Sequence, residues 1–235
     1  EKVFHDVCLL FNNNKINYWV CHGTLLGIIR EGRLLPWDHD IDFAVWDSEV
    51  SKGEISNILV NAGYLEEKIF GDMDCLHFFG KNKKIDIGFY KKNKDIAFIK
   101  WLSPSKQPLI IAFKDFVEII YTNKNINQIE LASGVIKRLI HVTLIKTSLI
   151  LKKILPFKLK TIFYGALIKR LSYQGYSYPC SLMTFKDIEY NGSIIRVPIE
   201  SERCLELTYG KNWRTPKRDF IWYEEANNLL ESKGG

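Results

Sequence analysis

Apolar residues recur along this chain with two different periods. Val3, Val7, Leu10 and Phe11 fall at helical spacing and predict a helix over residues 1–15. "INYWVC" (Ile16 to Cys21) is a short apolar and aromatic run and reads as a strand. "HGTLLGIIR" turns at Gly23 into a short helix, and "GRLLPWD" is a loop. "DIDFAVW" alternates strictly, so a strand would carry Asp40 and Asp42 on one face and Ile41 and Phe43 on the other. Residues 48–62 predict a helix capped by Ser48 or Ser51 and ending at Gly63. "DCLHFFG" and "KKIDIGFY" read as neighbouring strands joined by a turn around Asn82, and "DIAFIKWL" as a further strand. Pro104 and Pro108 mark a loop after it.

The second half has longer periodic runs. Ile136, Leu139, Ile140, Leu144, Ile150, Leu151 and Leu155 predict a helix over 135–155, interleaved with lysines and broken at Pro156. A second helix follows, with Leu159, Ile162, Phe163, Ala166, Leu167 and Leu171. Neither has 18 uncharged apolar residues in a row, so neither reads as a membrane span. "FKDIEYNGSIIRVP" predicts two strands about a tight turn at Asn191-Gly192, and "ESERCLELTYG" a short helix ending at Gly210.

Charge changes this picture in one place. No acidic residue lies between Glu130 and Asp187, while that interval holds ten basic ones: Lys137, Arg138, Lys146, Lys152, Lys153, Lys158, Lys160, Lys169, Arg170 and Lys186. The rest of the chain sets 23 of the 33 basic residues against all 27 acidic ones, so the net charge of +6 originates in the one segment. Two readings of the basic helices stay open: a solvated cover over the core, or a surface for anionic membrane over 135–171. No motif points to nucleic acid, and aromatic interleaving is sparse there. Otherwise 235 residues with a 46% hydrophobic fraction describe one large globular domain, or a domain with an appendage. The five cysteines are odd in number, widely spaced and without a C-x-x-C pair, which argues against structural zinc and for free thiols.

The chemistry concentrates in "GTLLGIIREGRLLPWDHDIDFAVW", Gly23 to Trp46. Asp38, Asp40 and Asp42 alternate and then enter an apolar strand, an arrangement whose mutual repulsion a cation would relieve. Asp86, within "IDI", adds a carboxylate on a later strand. Two carboxylates on one strand face and a third on a neighbour suit Mg2+, which takes oxygen ligands and shares its shell with phosphate. Two such ions clamp the attacking and leaving oxygens of a phosphoryl displacement. A helix opening at Gly23-Thr24 would offer backbone N–H groups to a phosphate. Several roles stay open: general base or metal ligand for Asp86, diphosphate contact or structural ion pair for Arg30, phosphate contact or helix cap for Thr24. Trp37 reads as packing or nucleotide stacking and His77 as an ordinary histidine, while His22, a lone histidine before Gly23, is within reach of the site.

The pattern Gly23-Thr24, Asp40-Ile41-Asp42-Phe43 and Ile85-Asp86-Ile87 resembles the polymerase-beta type of nucleotidyltransferase fold. A closer resemblance is to the LicD and fukutin-related family. Its pattern G-T-L-L-G, Arg, Gly, P-W-D-x-D-I-D is matched by Gly23 to Gly27, Arg30, Gly32, Pro36-Trp37-Asp38, Asp40 and Asp42. Its ending Y-G-x-x-W-x-x-P is matched by Tyr209-Gly210, Trp213 and Pro216. His39 stands where the family often has another Asp. The resemblance covers roughly residues 1–102 and 184–217.

That resemblance implies an α+β (mixed α/β) fold, a small mixed sheet of nucleotidyltransferase type with helices on one side; the basic helical insert is expected from the charge and periodicity and lies outside the resemblance. The expected organisation is a catalytic core at 1–130, the insert at 131–183, and 184–235 completing the core. It implies metal-dependent transfer of a phosphorylated alcohol, such as phosphocholine, ribitol phosphate or glycerol phosphate. The donor would be CDP-linked and the acceptor a sugar hydroxyl of a cell-surface glycan, with CMP released. Asp40, Asp42 and Asp86 would be catalytic and hold two Mg2+ (or Mn2+) ions; Gly23, Thr24, Arg30 and Asp38 would bind substrate. The expected location is cytoplasmic, peripheral on the inner face of the membrane, or the Golgi lumen in a eukaryote. Two alternatives remain: a nucleotidyltransferase adding a nucleoside monophosphate to a small molecule, and an inactive membrane-associated scaffold.

Overall fold

The structure is a computed structural model and describes residues 1–67, 74–102, 108–121, 134–168 and 173–232. Pro104, Lys169, Arg170, Leu171 and the expected 130/131 boundary lie outside these residues. Strand β2 (Asp40–Trp46) organises the fold through its alternation. Ile41, Phe43 and Val45 point to one core; Ala44 and Trp46 point to another on the opposite face. Strand β5 (Lys83–Asn93) lies parallel to β2, with Asp40 opposite Lys84, Asp42 opposite Asp86 and Trp46 opposite Tyr90. A parallel pair needs a crossover. Here it contains helix α3 (Lys52–Asn61), whose Ser51 cap accepts the Glu54 N–H at 3.2 Å, and strands β3 (Leu65–Glu67) and β4 (Cys75–Gly80).

β4 returns antiparallel to β5 across a two-residue turn in which Lys81 and Asn82 both have positive φ, 52° and 64°. That backbone is the one that matches the twist of a tight hairpin. β1 (Tyr18–Val20) pairs antiparallel with the outer side of β2. β6 (Ile96–Leu102), β7 (Tyr173–Pro179) and β10 (Leu229–Ser232) continue the sheet, in the order β1-β2-β5-β6-β7-β10 with β4 and β3 branching from β5. The fold is thus α+β with a mixed sheet. β8 (Phe185–Tyr190) and β9 (Ser193–Pro198) form a separate hairpin, turning at Asn191-Gly192 as the sequence predicts.

The two faces are filled differently. One carries helix α1 (Lys2–Asn13) through Phe4, Val7 and Phe11, helix α2 (His22–Glu31) through Leu25 and Ile28, and α3 through Ile55 and Leu59. Phe4 stacks on Phe43 at 5.5 Å. The other is an aromatic layer of Trp19, Trp46, Tyr90, Trp101, Tyr176 and Tyr178, joined by Cys204 of helix α7 (Ser201–Tyr209). All five cysteines are free. A four-residue helix, α8 (Trp222–Glu225), precedes β10.

The chain forms two compact units, Glu1–Trp101 with Gln174–Glu231, and Leu102–Tyr173 with the last four residues. The second unit starts ahead of the basic interval and ends before residue 183, so sequence charge and compactness draw the boundary in different places. It holds α4 (Pro108–Tyr121), α5 (Val135–Ile154) and α6 (Phe157–Ile168). Pro108, expected in a loop, is the first residue of α4, the helical position where a missing N–H costs nothing.

Candidate functional site

Strand β2 opens with its acidic residues on the face of the aromatic layer, because they keep step with Ala44 and Trp46. One carboxylate oxygen from each of Asp38, Asp40 and Asp42 lies within 4.8 Å of the others. Helix α2 starts against this group. The Thr24 hydroxyl accepts the Asp42 backbone N–H at 2.8 Å, and the Thr24 N–H donates to Asp42 Oδ2 at 3.4 Å. Gly23 is needed for the approach: a Cβ there would stand 2.2 Å from Asp38 Oδ2 and 3.5 Å from Asp42 Oδ2. Asp38, Gly23 and Thr24, expected to bind substrate, therefore meet Asp40 and Asp42 at one helix start.

The electrostatics are those of concentrated negative charge that Lys83, acting on Asp38, and Lys84, acting on Asp40, offset only in part. Burial raises the Asp42 carboxyl well above the carboxylate range, and repulsion from Asp40, Asp38 and Asp86 adds to it; the Thr24 N–H opposes them. Burial, hydrogen bonding to Asp40 and repulsion from Asp40 push Asp38 up to about 7. Among the described residues, Asp38, Asp40 and Asp42 make no ion pair. Lys83 Nζ donates to the Asp38 carbonyl oxygen at 2.7 Å, not to its carboxylate. Half-buried like charges without an ion pair are costly, and a divalent cation with oxygen preference relieves that cost. The donor set, the glycine cradle and the excess of negative charge all fit such an ion.

Asp86 has different company. It stands opposite Asp42 in the β2–β5 register, but its Oδ1 is 2.7 Å from His77 Nδ1 and its Oδ2 accepts from Lys84 Nζ at 3.0 Å. Burial acts to raise its pKa; the bonds and charges of His77 and Lys84 outweigh burial and hold the carboxyl below its usual range. The hairpin signals this pairing. A two-residue turn at Lys81-Asn82 opposes Gly80 to Lys83 and hence, three steps on, His77 to Asp86. Arg30 is engaged elsewhere: Nη1 donates to the Trp213 carbonyl at 3.2 Å and Nη2 to Glu31 at 2.8 Å. Trp37 packs on the α1–α3 core and carries the Arg218 guanidinium 5.0 Å above its ring.

His22 is only a weak candidate in the sequence, a lone histidine beside the glycine. It precedes Gly23, is held at φ 48°, and its Nε2 lies 3.2 Å from the Tyr90 hydroxyl. Burial drives its pKa down to about 4, so the ring is neutral, and its Nδ1 has no partner among the described residues. It lines a recess with Tyr90, Tyr178, Thr208 and Tyr209. A non-glycine residue in the left-handed region is strained, and such strain persists where the surrounding structure demands it.

Comparison with known proteins gives the class first. Residues 15–79, which carry α2 and the aspartates, match the family model described as LicD/FKTN/FKRP, nucleotidyltransferase domain. Ribitol 5-phosphate transferase FKRP of Mus musculus and of Homo sapiens are each 28% identical to this chain over 96 residues, 37% of this chain and 19% of the relative. The chain thus matches about a fifth of the length of those relatives. It is also similar to the solution structure of the antibiotic-resistance factor ANT(2'')-Ia, at 15% identity and a TM-score of 0.35, covering 71% of this chain and 93% of that one. The family match and the FKRP similarity support the LicD/fukutin-related family for this chain, through the segment that carries the carboxylates.

Proposed function

We propose that this chain transfers a phosphorylated alcohol from a CDP-linked donor to a sugar hydroxyl, releasing CMP. The observation that carries the reading is the meeting of Asp38, Asp40 and Asp42 at the Gly23-Thr24 helix start, with no ion pair to them among the described residues. The FKRP relatives, named as ribitol 5-phosphate transferases, support phosphoalcohol transfer as the general class.

In this reading Asp38, Asp40 and Asp42 hold Mg2+ or Mn2+, with Asp86 close by across the register. Bound there, the divalent cation neutralises diphosphate charge and favours departure of the CMP leaving group. Thr24 orients Asp42 through its hydroxyl and N–H, and Gly23 leaves the Asp38 carboxylate room to join the cluster. His77 and Lys84 keep Asp86 ionised. Asp86, held ionised beside the cluster, stands to attract the cation or to take the proton that the attacking sugar hydroxyl gives up. Arg30 ties α2 to the segment around Trp213 and so steadies the helix that carries Gly23 and Thr24.

The test is a screen of CDP-choline, CDP-ribitol and CDP-glycerol with Mg2+ and glycan acceptors, reading CMP. Release of CMP that depends on both metal and acceptor supports the proposal. Consumption of a nucleoside triphosphate with pyrophosphate release, and no CMP from any CDP-alcohol, overturns it in favour of nucleotidyl transfer.

A further inference from the structure

In the unit spanning Leu102–Tyr173, the acids among the described residues lie on α4, and α5 and α6 carry only basic charges. Asp115 and Glu118 of α4 are buried, and Asp115 Oδ2 is 3.0 Å from His141 Nε2 on the inner side of α5. That inner side also buries Ile145 and Ser148. The outward side of α5 is the unusual one. With about 100° between successive residues, Ile136, Leu139, Ile140, Thr143, Thr147, Ile150 and Ile154 fall on one stripe opposite His141 and Ile145. All seven are exposed, Ile136 to 76%. A helix face turned to water carries charged and polar side chains; this one carries no charge, and its polar residues are the two threonines alone.

The two threonines do not break the apolar character. The Thr143 hydroxyl donates to the Leu139 carbonyl and the Thr147 hydroxyl to the Thr143 carbonyl, each at 2.8 Å. Each hydroxyl is satisfied by the helix's own backbone and needs no water. Helix α6 adds exposed Phe157 (74%) and Ile162, and its Thr161 hydroxyl donates back to the Phe157 carbonyl at 3.0 Å. Lys146 and Lys153 border the stripe on one side, Lys137 lies on the other, and Lys158 stands exposed beside Phe157. No described helix is long and apolar enough to cross a membrane.

We propose that the outward face of α5 and α6 lies on an anionic lipid surface, the apolar stripe in the headgroup–acyl boundary and the flanking lysines at the lipid phosphates. Charge selects this occupant. No acid lies between Glu130 and Asp187, so a second copy would oppose lysine to lysine across the same stripe. A bilayer bearing negative headgroups is complementary to both parts of the face. Long lysine stems reach from an apolar boundary to the phosphates above it. Lys152 and Lys160 are excluded from this role: Lys152 is half-buried on the side of α5 that carries His141 and Ile145, and the half-buried Lys160 ammonium donates to the Lys152 carbonyl at 2.6 Å.

The test is co-sedimentation of the full chain with vesicles of phosphatidylcholine containing about a third phosphatidylserine, against pure phosphatidylcholine. Binding should need the anionic lipid and weaken as salt rises. Each lysine at such a surface contributes about fivefold in affinity. Changing Lys137, Lys146, Lys153 and Lys158 to Glu should therefore reduce binding by at least about a hundredfold. Ile150→Ser with Ile154→Ser should also abolish it, with the thermal midpoint unchanged in both variants. Failure of wild-type protein to bind anionic vesicles at low salt overturns the proposal. So does a dimer by light scattering that the Ile→Ser pair converts to monomer without any lipid effect. These readouts need no turnover, so they stand or fall apart from the proposed transfer reaction.

Discussion

Gly23→Ala is the sharpest test of the carboxylate cluster, because one methyl group touches the site and little else. Its Cβ would lie 2.2 Å from Asp38 Oδ2 and 3.3 Å from Asp38 Cγ. Ordinary contact begins at about 3.4 Å, so the oxygen must retreat by about 1.2 Å. Such a shift is far beyond the few tenths of an ångström that a Mg2+ site tolerates. Misplacement of a catalytic group by about 1 Å costs on the order of a hundredfold in rate. The fold should hardly respond. What must yield is the end of a side chain, and alanine in a helix is better than glycine by up to about 1 kcal/mol. We expect a thermal midpoint within about 4 °C of wild type, a Mg2+-induced rise in midpoint that is largely lost, and CMP release down by about a hundredfold or more. Gly27→Ala is the control. Its Cβ would meet backbone, Arg33 O at 2.6 Å and Leu35 N at 2.9 Å, which overpacking by about 1–3 kcal/mol describes. It should lower the midpoint yet keep the Mg2+ response. Gly23→Ala with wild-type Mg2+ response and turnover would refute the reasoning; so would Gly23→Ala proving the more destabilising of the two.

Three further expectations follow from the same geometry. Asp38 is pushed up to about 7 from 3.8, so the folded chain holds a proton that the unfolded chain releases; its contribution to stability is whole below about pH 4 and gone once the pH passes about 7. In EDTA the thermal midpoint should therefore fall from pH 5 to pH 8, Mg2+ should raise it most at the alkaline end, and Asp38→Asn should flatten the profile; a flat wild-type profile contradicts the assigned burial. Asp40→Asn and Asp42→Asn should each abolish nearly all turnover while circular dichroism stays native, and either variant keeping near wild-type activity in Mg2+ would remove the cluster from the site. His77→Ala removes the 2.7 Å contact to Asp86 and leaves burial opposed by Lys84 alone, so the carboxyl rises and the acidic limb of the pH–rate profile should move to higher pH; an unmoved limb means that His77 only packs.

Much of the site was legible in the chain because it is local. Strand alternation alone sets Asp40 and Asp42 against Ile41 and Phe43, and Gly23-Thr24 opens a helix at the distance at which that helix reaches them. Pairings that need hairpin register or distant chain were harder. His77 reads as an ordinary histidine until the two-residue turn is counted back to Asp86. The contact of Arg30 with the Trp213 carbonyl joins residues 183 apart, and no local pattern encodes it. β7 escaped notice because "YQGYSYP" alternates weakly and contains a glycine. That glycine is required: a Cβ on Gly175 would come within 2.0 Å of the Ile99 carbonyl. Pro108 misled because proline marks a loop and a helix start equally well.

The closeness of Gly175 to Ile99 has a consequence for how this chain can be re-engineered. β6 and β7 are neighbours in the sheet, yet the whole of 102–173 intervenes between them. The strand ends that bracket this excursion belong to adjacent ribbons, so a linker of a few residues would rejoin them at small closure entropy. The sheet is therefore spliced at one seam. A different module could be grafted there without reworking the strands that hold the aspartates.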